Sequence, residues 1–361
     1  MDAADQAVSA RREPQTSAAA LDALWRRLHW HHCTVLASTL TLGLMALVLD
    51  VATGPAQLSP WVVVQTLLGD VSSIQATAIV WNIRLPAALT AWVVGAALGL
   101  SGALMQTILN NPLASGYTLG ISAGASLGAA SAIALGAWLP VPEAYAVPAH
   151  AMVFAALACW GVYALGGWGH AAPDRLVLAG IAMLFLFQAL TSLVQLLASP
   201  EALQQIVFWL FGSLQKATWP KLGVMAVVLV LCIPWVVRDA WPLTALRMGD
   251  ARAAALGVRL RSLRLRCLAI VSVLTGVAVA FVGTIGFVGL VAPHMARATV
   301  GEDQRWFLSA SACMGGVLLS LASVASKTVY PGAVFPIGIV MALIGVPCFM
   351  LLVSPRRKEV L

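Results

Sequence analysis

The chain has 361 residues, of which 60% are hydrophobic and only 10% charged, with a formal net charge of +7 and a mean hydropathy of +0.90. Soluble domains carry about 25% charged residues, and a chain of this length has too little interior to hide so much apolar surface. A water-soluble domain is therefore excluded, and the surplus apolar surface must face lipid.

Residues 1–32 are polar, carry Arg11, Arg12, Arg26 and Arg27, and show no cleavage-site pattern. They read as a cytosolic tail, disordered at its start. The apolar run from Cys33 to Val51 is too long for a signal-peptide core and reads as a retained first span. A helix needs about 20 apolar residues to cross the hydrocarbon core. On that measure further spans are expected near 81–109, 115–137, 147–167, 173–199, 220–238, 264–283, 284–299, 305–327 and 336–353. The boundary near 283 rests on "GTIGFVGLVAPH", whose three glycines and proline suit a sharp turn and a short broken helix. The fold class is thus all-α: a polytopic membrane domain over 33–353, with a second short cytosolic tail at 354–361.

Ten spans put both termini on one side. Of the 21 basic residues, only Arg84, Lys216, Lys221 and Lys327 then fall on the opposite side. Lys and Arg concentrate on the cytosolic face of membrane proteins, so the termini are expected in the cytosol. The positive charge reflects orientation and gives no support to a nucleic-acid partner.

The spans hold no Asp, Glu, Lys or Arg away from their ends. A charge at the bilayer centre costs roughly 2.5–3.5 kcal/mol on insertion scales and survives mainly where it works. Its absence argues against an ion-coupled secondary carrier, although carriers that hold ions through backbone carbonyls stay open. No GxxxxGK[ST] phosphate loop occurs, so energy for pumping has to come from another polypeptide. The six cysteines are scattered without ligand spacing and read as small apolar residues. His29, His31 and His32 in "HWHHC" suit either a metal or, preferably, an interfacial role. His294 reads as a helix-end histidine. No metal site is expected.

Between the sixth and seventh spans, about 239–263, lies "MGDARAAALGVRLRSLRLR". Its alanines favour a short helix, and Gly257 after Leu256 is the expected stop. A docking knob, a plain connector and a basic patch on headgroups all remain open from spacing alone.

Three polar or glycine patterns lie in the spans. Gln188, Ser192 and Gln195 share one helical face, as a water-exposed wall or as interhelical hydrogen bonds. Gln106, Asn110 and Asn111 precede Pro112, as a helix cap or an inner gate. In "SGYTLGISAGASLGAA" glycine recurs at 116, 120, 124 and 128. Such a strip lets a second helix approach closely, and the expected neighbour is the second span with Gly95 and Gly99. Gly116 alternatively belongs to the turn that opens the span.

The segments "RLPAALTAWVVGAALGLSGALMQTILNNPLASGYTLGISAGASLGAA", "GDARAAALGV", "GTIGFVGLVAPHMAR" and "FPIGIVMALIGVPCFMLL", spread in order over residues 60–353, resemble the FecCD-type permeases. These are membrane subunits of ABC importers for iron-siderophores, haem and vitamin B12. The resemblance implies a type II importer permease of about ten spans in a bacterial inner membrane, working as a homodimer or with a similar chain. It implies two cytosolic ATPases that bind ATP and magnesium, a periplasmic substrate-binding protein, and no cofactor or catalysis in this chain. Asp250, Ala253, Leu256 and Gly257 match the family's coupling helix, with Ala251 where an acid is common. Arg84 and Lys327 occupy positions that dock the binding protein, with Ala87 where a second Arg often stands. The fifth and tenth spans of two subunits enclose the path in relatives, which places Gln188, Ser192 and Gln195 beside it.

Overall fold

The computed structural model describes residues 18–56, 58–69, 73–166, 173–330 and 332–353. The expected tails therefore lie largely outside the described residues, at 1–17 and 354–361. Helix α1, Ala18–Ala52, opens the described chain. Its 35 residues reach about 52 Å at 1.5 Å per residue, well beyond the roughly 30 Å hydrocarbon core. Residues 18–32, expected as tail, continue the first span as a helix, with Trp25 and Trp30 on its exposed surface.

Two short helices follow, α2 (Pro60–Leu67) and α3 (Ile74–Ile79), each capped by a serine side chain, Ser59 and Ser73. The chain then runs from α3 through a π-helical turn, Val80–Arg84, into α4, Leu85–Ile108. After α4 come α5 (Ile121–Leu135), α6 (Glu143–Leu165), α7 (Pro173–Leu197), α8 (Pro200–Leu210) and α9 (Trp219–Leu246). The six-residue α10, Asp250–Ala255, leads into α11 (Leu260–Val282), α12 (Val288–Val300), α13 (Gln304–Thr328) and α14 (Ile337–Val353).

Among the described residues, seven helical segments are long and apolar enough to cross a membrane. The remaining three expected spans are the shorter α5, α12 and α14, of 15, 13 and 17 residues. Two of them start late for a backbone reason. Residues 115–120 form a turn in which Ser115 and Thr118 bond each other's backbone, and Gly120 sits at φ +77° before α5 begins. Residues 283–287 are non-helical, with Gly283 and Phe287 both at positive φ. Left-handed backbone of this kind ends or delays a helix. The sixth span, expected to stop at 238, continues as α9 to Leu246, so the connecting segment is shorter than 239–263.

The apolar window of Ile74–Ile108 is 83% buried, against 22% for α1 and for α9. Helix α4 is therefore the central post of the bundle, and small residues let its neighbours reach it. A Cβ at Gly95 or Gly99 would strike the α13 backbone at Gly315 or Ser311, and one at Gly102 would strike Gly289 on α12. Ser101 and the α11 residue Thr275 share a hydrogen bond of 2.7 Å on another side. Gly95 and Gly99 thus face α13, and the expected pairing with the third-span glycines is corrected. A Cβ at Gly124 would lie 2.6 Å from the Phe154 carbonyl oxygen, and Gly128 faces the His150 carbonyl, both on α6. The glycine strip is also shorter than the sequence suggests, because Gly116 and Gly120 precede the helix; Gly120 lies against Leu184 of α7. Helix α13 follows α4 along its length, from Gln304 beside Thr107 to Gly315 beside Gly95; α11 and α12 also pack on α4, and α5 to α7 form a second layer.

Candidate functional site

The bundle has two chemically distinct ends. At one end α9 gives way to α10, whose backbone is set by glycine on both sides. Gly249 precedes it at φ +100°, and Gly257 follows at φ +84°. The Gly257 amide donates to the Ala254 carbonyl at 2.9 Å and the Val258 amide to the Ala253 carbonyl at 3.0 Å. Those two bonds make the Schellman closure that a left-handed glycine allows. Ala253 is fully buried and pins α10 to the bundle, whereas Leu256 is 51% exposed and Gly257 has open space around it. Arg264 Nη2 donates to both carboxylate oxygens of Asp250 at 2.9 Å, which ties α10 to α11. The result is a small apolar projection on a rigid base.

Beneath it a polar cluster joins four elements. Arg247, just past α9, forks onto Glu302 in the α12–α13 turn and donates to Asn110 Oδ1 at 2.7 Å beyond α4. Glu302 also holds Arg297 of α12 at 3.0 Å. Nearby, Arg266 of α11 forks onto the buried Asp239 of α9 at 2.7 and 2.9 Å. Asn111 shapes the turn after α4, its side chain accepting from the Leu113 amide at 2.9 Å. The two asparagines thus do separate work, one on the backbone and one on an arginine.

At this same end the histidine cluster is engaged in ring contacts. His29 stacks on Trp25, His29 and His32 both lie against Trp306, and His31 bonds the Thr299 carbonyl at 3.0 Å. These contacts suit the interfacial role.

The opposite end holds Arg84 and Lys327, and the structure gives both a task unlike the one expected. Arg84 is only 4% exposed, and its guanidinium donates to the carbonyls of Val51 at 3.1 Å, Ala52 at 2.8 Å, and Ala56. Gly54 leaves room for it, since a Cβ there would sit 2.9 Å from Arg84 Nε. Lys327 donates to the Asp50 carbonyl at 3.0 Å and to Asp50 Oδ1 at 2.6 Å. Asp50 is fully buried, and Ser323 donates to the same oxygen at 2.8 Å. Both cations therefore satisfy the unpaired carbonyls at the C-terminus of α1, where the helix dipole also favours positive charge. Burial and these bonds give Arg84 a structural task, while Lys327 is held from one side and still lines the cavity at this end. Asp50 carries this arrangement and escapes a reading by composition, because a lone acid in the last turn of a span looks like an interfacial residue.

Between the ends, α7 carries Gln188, Ser192 and Gln195. Gln188 and Ser192 are exposed and Gln195 partly so, at the edge of a surface that includes Phe185, Leu186, Leu193 and Leu196. The opposite face, with Met183, Phe187 and Thr191, is buried against the bundle. Thus the three polar side chains share a surface that the described residues leave uncovered.

The short α8 was missed by span counting, although "SPEALQQ" announces it. Ser199 accepts from the Ala202 amide at 3.2 Å, and Pro200 takes the first helical position. Its C-terminal end is stitched across the broken segment: the Ser213 amide donates to the Val282 carbonyl at 2.7 Å, and the Ile337 amide to the Gly212 carbonyl at 3.2 Å. Helix α8, the start of α6, the ends of α11 and α13 and the start of α14 line an open-mouthed cavity of about 750 Å³ that includes Lys327.

A model of the FecCD transport family matches residues 41–354. The chain belongs to this family. The hemin transport system permease protein of Yersinia pestis is 37% identical over 324 residues, covering 89% of this chain and 97% of that one. The Fe(3+) dicitrate transport system permease protein of Escherichia coli K12 is 39% identical over 287 residues, 77% of this chain and 84% of its own. The vitamin B12 import system permease protein of Citrobacter koseri is 32% identical over 337 residues, 92% and 96% respectively. Among solved structures, a metal-chelate type ABC transporter in an inward-facing conformation superposes with a TM-score of 0.78 at 30% identity, covering 89% of this chain and 98% of that one. This FecCD chain is thus a multi-pass membrane permease component with the helical architecture of an ABC transporter. Helix α10 lies within "GDARAAALGV", one of the four segments that carry the family resemblance.

Proposed function

We propose that the chain is the permease subunit of an ATP-driven importer that carries an iron chelate, of the Fe(III)-siderophore type, across the bacterial inner membrane. The observation that carries this reading is α10: an exposed apolar projection on a pinned base, in a chain of the FecCD family. A partner ATPase grips Leu256 and its neighbours, binds the ATP and magnesium, and moves α10 as ATP closes the ATPase pair. Because Ala253 and Asp250 fix α10 to the bundle, that motion passes to α9 and α11 and, through Arg247 and Glu302, to the α12–α13 turn. The permease works as a pair, either with a second copy or with a similar chain. Its uncovered α7 face, with Gln188, Ser192 and Gln195, lines the path at the pair's axis, where amides and hydroxyls wet a wall without gripping the cargo. A periplasmic binding protein delivers that cargo to the end bearing Lys216 and Lys221, and both termini lie in the cytosol. Permeases named for hemin and vitamin B12 match at comparable identity, so haem and cobalamin are the competing cargoes for the same mechanism.

The test is capture of an ABC ATPase of the same system by the purified permease. Leu256→Glu places a charge on the exposed apolar tip and should abolish capture while the permease keeps its unfolding temperature. Undiminished capture by that variant contradicts the coupling role of α10.

A further inference from the structure

The cavity at the end opposite α10 has a charge and a lining that select a ligand. We propose that it is a binding site for an anionic, carboxylate-bearing iron chelate, held by Lys216 and Lys221; this rests on the reading of the chain as an iron-chelate permease and narrows its substrate class.

The volume of about 750 Å³ falls within the roughly 300–1,000 Å³ range of small-molecule sites. Its charged lining residues are Lys216, Lys221, Lys327 and Glu143. Lys327 is neutralised from behind by Asp50 at 2.6 Å. Among the described residues neither Lys216 nor Lys221 makes an ion pair, and the Lys221 ammonium donates only to the Lys216 carbonyl at 3.4 Å. Two uncompensated ammonium groups against one carboxylate leave the cavity net positive, and low-dielectric walls focus that field. Gln204, Gln205 and Gln215 add amide donors suited to carboxylate oxygens.

The lining also discriminates among iron cargoes. Among the described residues it contains no His, Cys, Met or Tyr, the side chains that ligate haem iron. A cargo whose iron is already fully coordinated by its own carboxylates needs no such ligand, and it presents the negative charge the lysines lack. Phe208, Trp209 and Phe281 supply an apolar wall against which the chelate's backbone rests.

The experiment uses the whole permease in nanodiscs of zwitterionic phosphatidylcholine, with ferric citrate as the probe and tryptophan fluorescence as the readout. Ferric citrate should quench saturably, and Trp209→Phe should remove most of the signal. Lys216→Gln with Lys221→Gln should weaken the apparent affinity about tenfold, as expected for steering and holding charges. Raising salt from about 0.05 to about 0.5 M should weaken it further. Equal quenching by a neutral ferric hydroxamate, an unchanged affinity in the double variant, or no saturable signal overturns the proposal. Loss of the signal when phosphatidylglycerol is added to the disc overturns it too, since the site would then belong to lipid headgroups. A requirement for both lysines in capture of the binding protein, without ferric citrate binding, likewise overturns it. Because no ATPase is present, a failed binding assay with intact ATP-driven uptake sinks only the cavity, whereas intact binding without such uptake sinks the importer reading.

Discussion

Lys327 and Asp50 meet at 2.6 Å across the interface of α13 and α1, with Asp50 wholly buried and Lys327 showing only 11% of its side chain. The pair fastens the last turn of α1 to the bundle beside the Arg84 guanidinium. Two of the four basic residues at this end are thereby spent on structure. Lys216 and Lys221, by contrast, make no ion pair among the described residues.

Removing one member of this pair should destabilise the permease strongly. Leaving a buried charge without its partner costs about 3–5 kcal/mol, while replacing both members is far milder. Lys327→Met should therefore lower the unfolding temperature in detergent markedly, and Lys327→Met with Asp50→Asn should regain much of the loss. Additive losses in the double variant contradict the pairing.

Glycine packing makes a sharper claim about which helices touch. Gly124→Leu puts a branched side chain where even a Cβ lies 2.7 Å from the Ala158 methyl. Overpacking of that kind costs about 1–3 kcal/mol or more. A lower unfolding temperature is expected, and Ala158→Gly, which removes the nearest side-chain atom, should recover part of the loss. Gly95→Leu should act through α13 instead, so the two losses should add within a few tenths of a kcal/mol, as separate sites do. Strong coupling between Gly95 and Gly124 variants would restore the helix pairing read from sequence.

The reason that pairing misled is physical. Spacing shows that a face is free of side chains, but it does not show what approaches. The second and third spans both carry small residues at four-residue steps, yet Gly95 meets Gly315 and Gly124 meets α6. Composition and span length made the all-helical membrane class legible, and the stop at Gly257 was legible from the alanine run before it. The short α8 was legible too, in Ser199 and Pro200, but hydropathy averages over such caps. Asp50 was not, because its meaning depends on Lys327, 277 residues away in the chain.

The ion pair of Arg247 and Glu302 should matter for energy transfer as well as for stability. Glu302→Gln leaves shape nearly intact but removes the charge that holds Arg247 and Arg297. In vesicles containing the permease, its ATPase and its binding protein, cargo moved per ATP hydrolysed should fall. Exchanging the pair, Arg247→Glu with Glu302→Arg, should recover part of the loss. A variant that merely unfolds would lose hydrolysis and uptake together, so an unchanged ratio contradicts a role in transmission.

At Gly257 the backbone lies at φ +84°, whereas proline fixes φ near −65°. Gly257→Pro must therefore undo the Schellman closure while touching no neighbour, because nothing lies close to this position. Basal ATP hydrolysis should persist, but its stimulation by loaded binding protein should disappear. Full stimulation in this variant would separate α10 from coupling.

The central claim is that transport is driven by ATP hydrolysed on another subunit. It is tested most directly by uptake of radiolabelled ferric citrate into vesicles holding the permease and its binding protein, with and without the ATPase. The account predicts uptake only when ATPase and ATP are both present, and no effect of an uncoupler. Uptake by the permease without the ATPase, collapsed by the uncoupler, would contradict it.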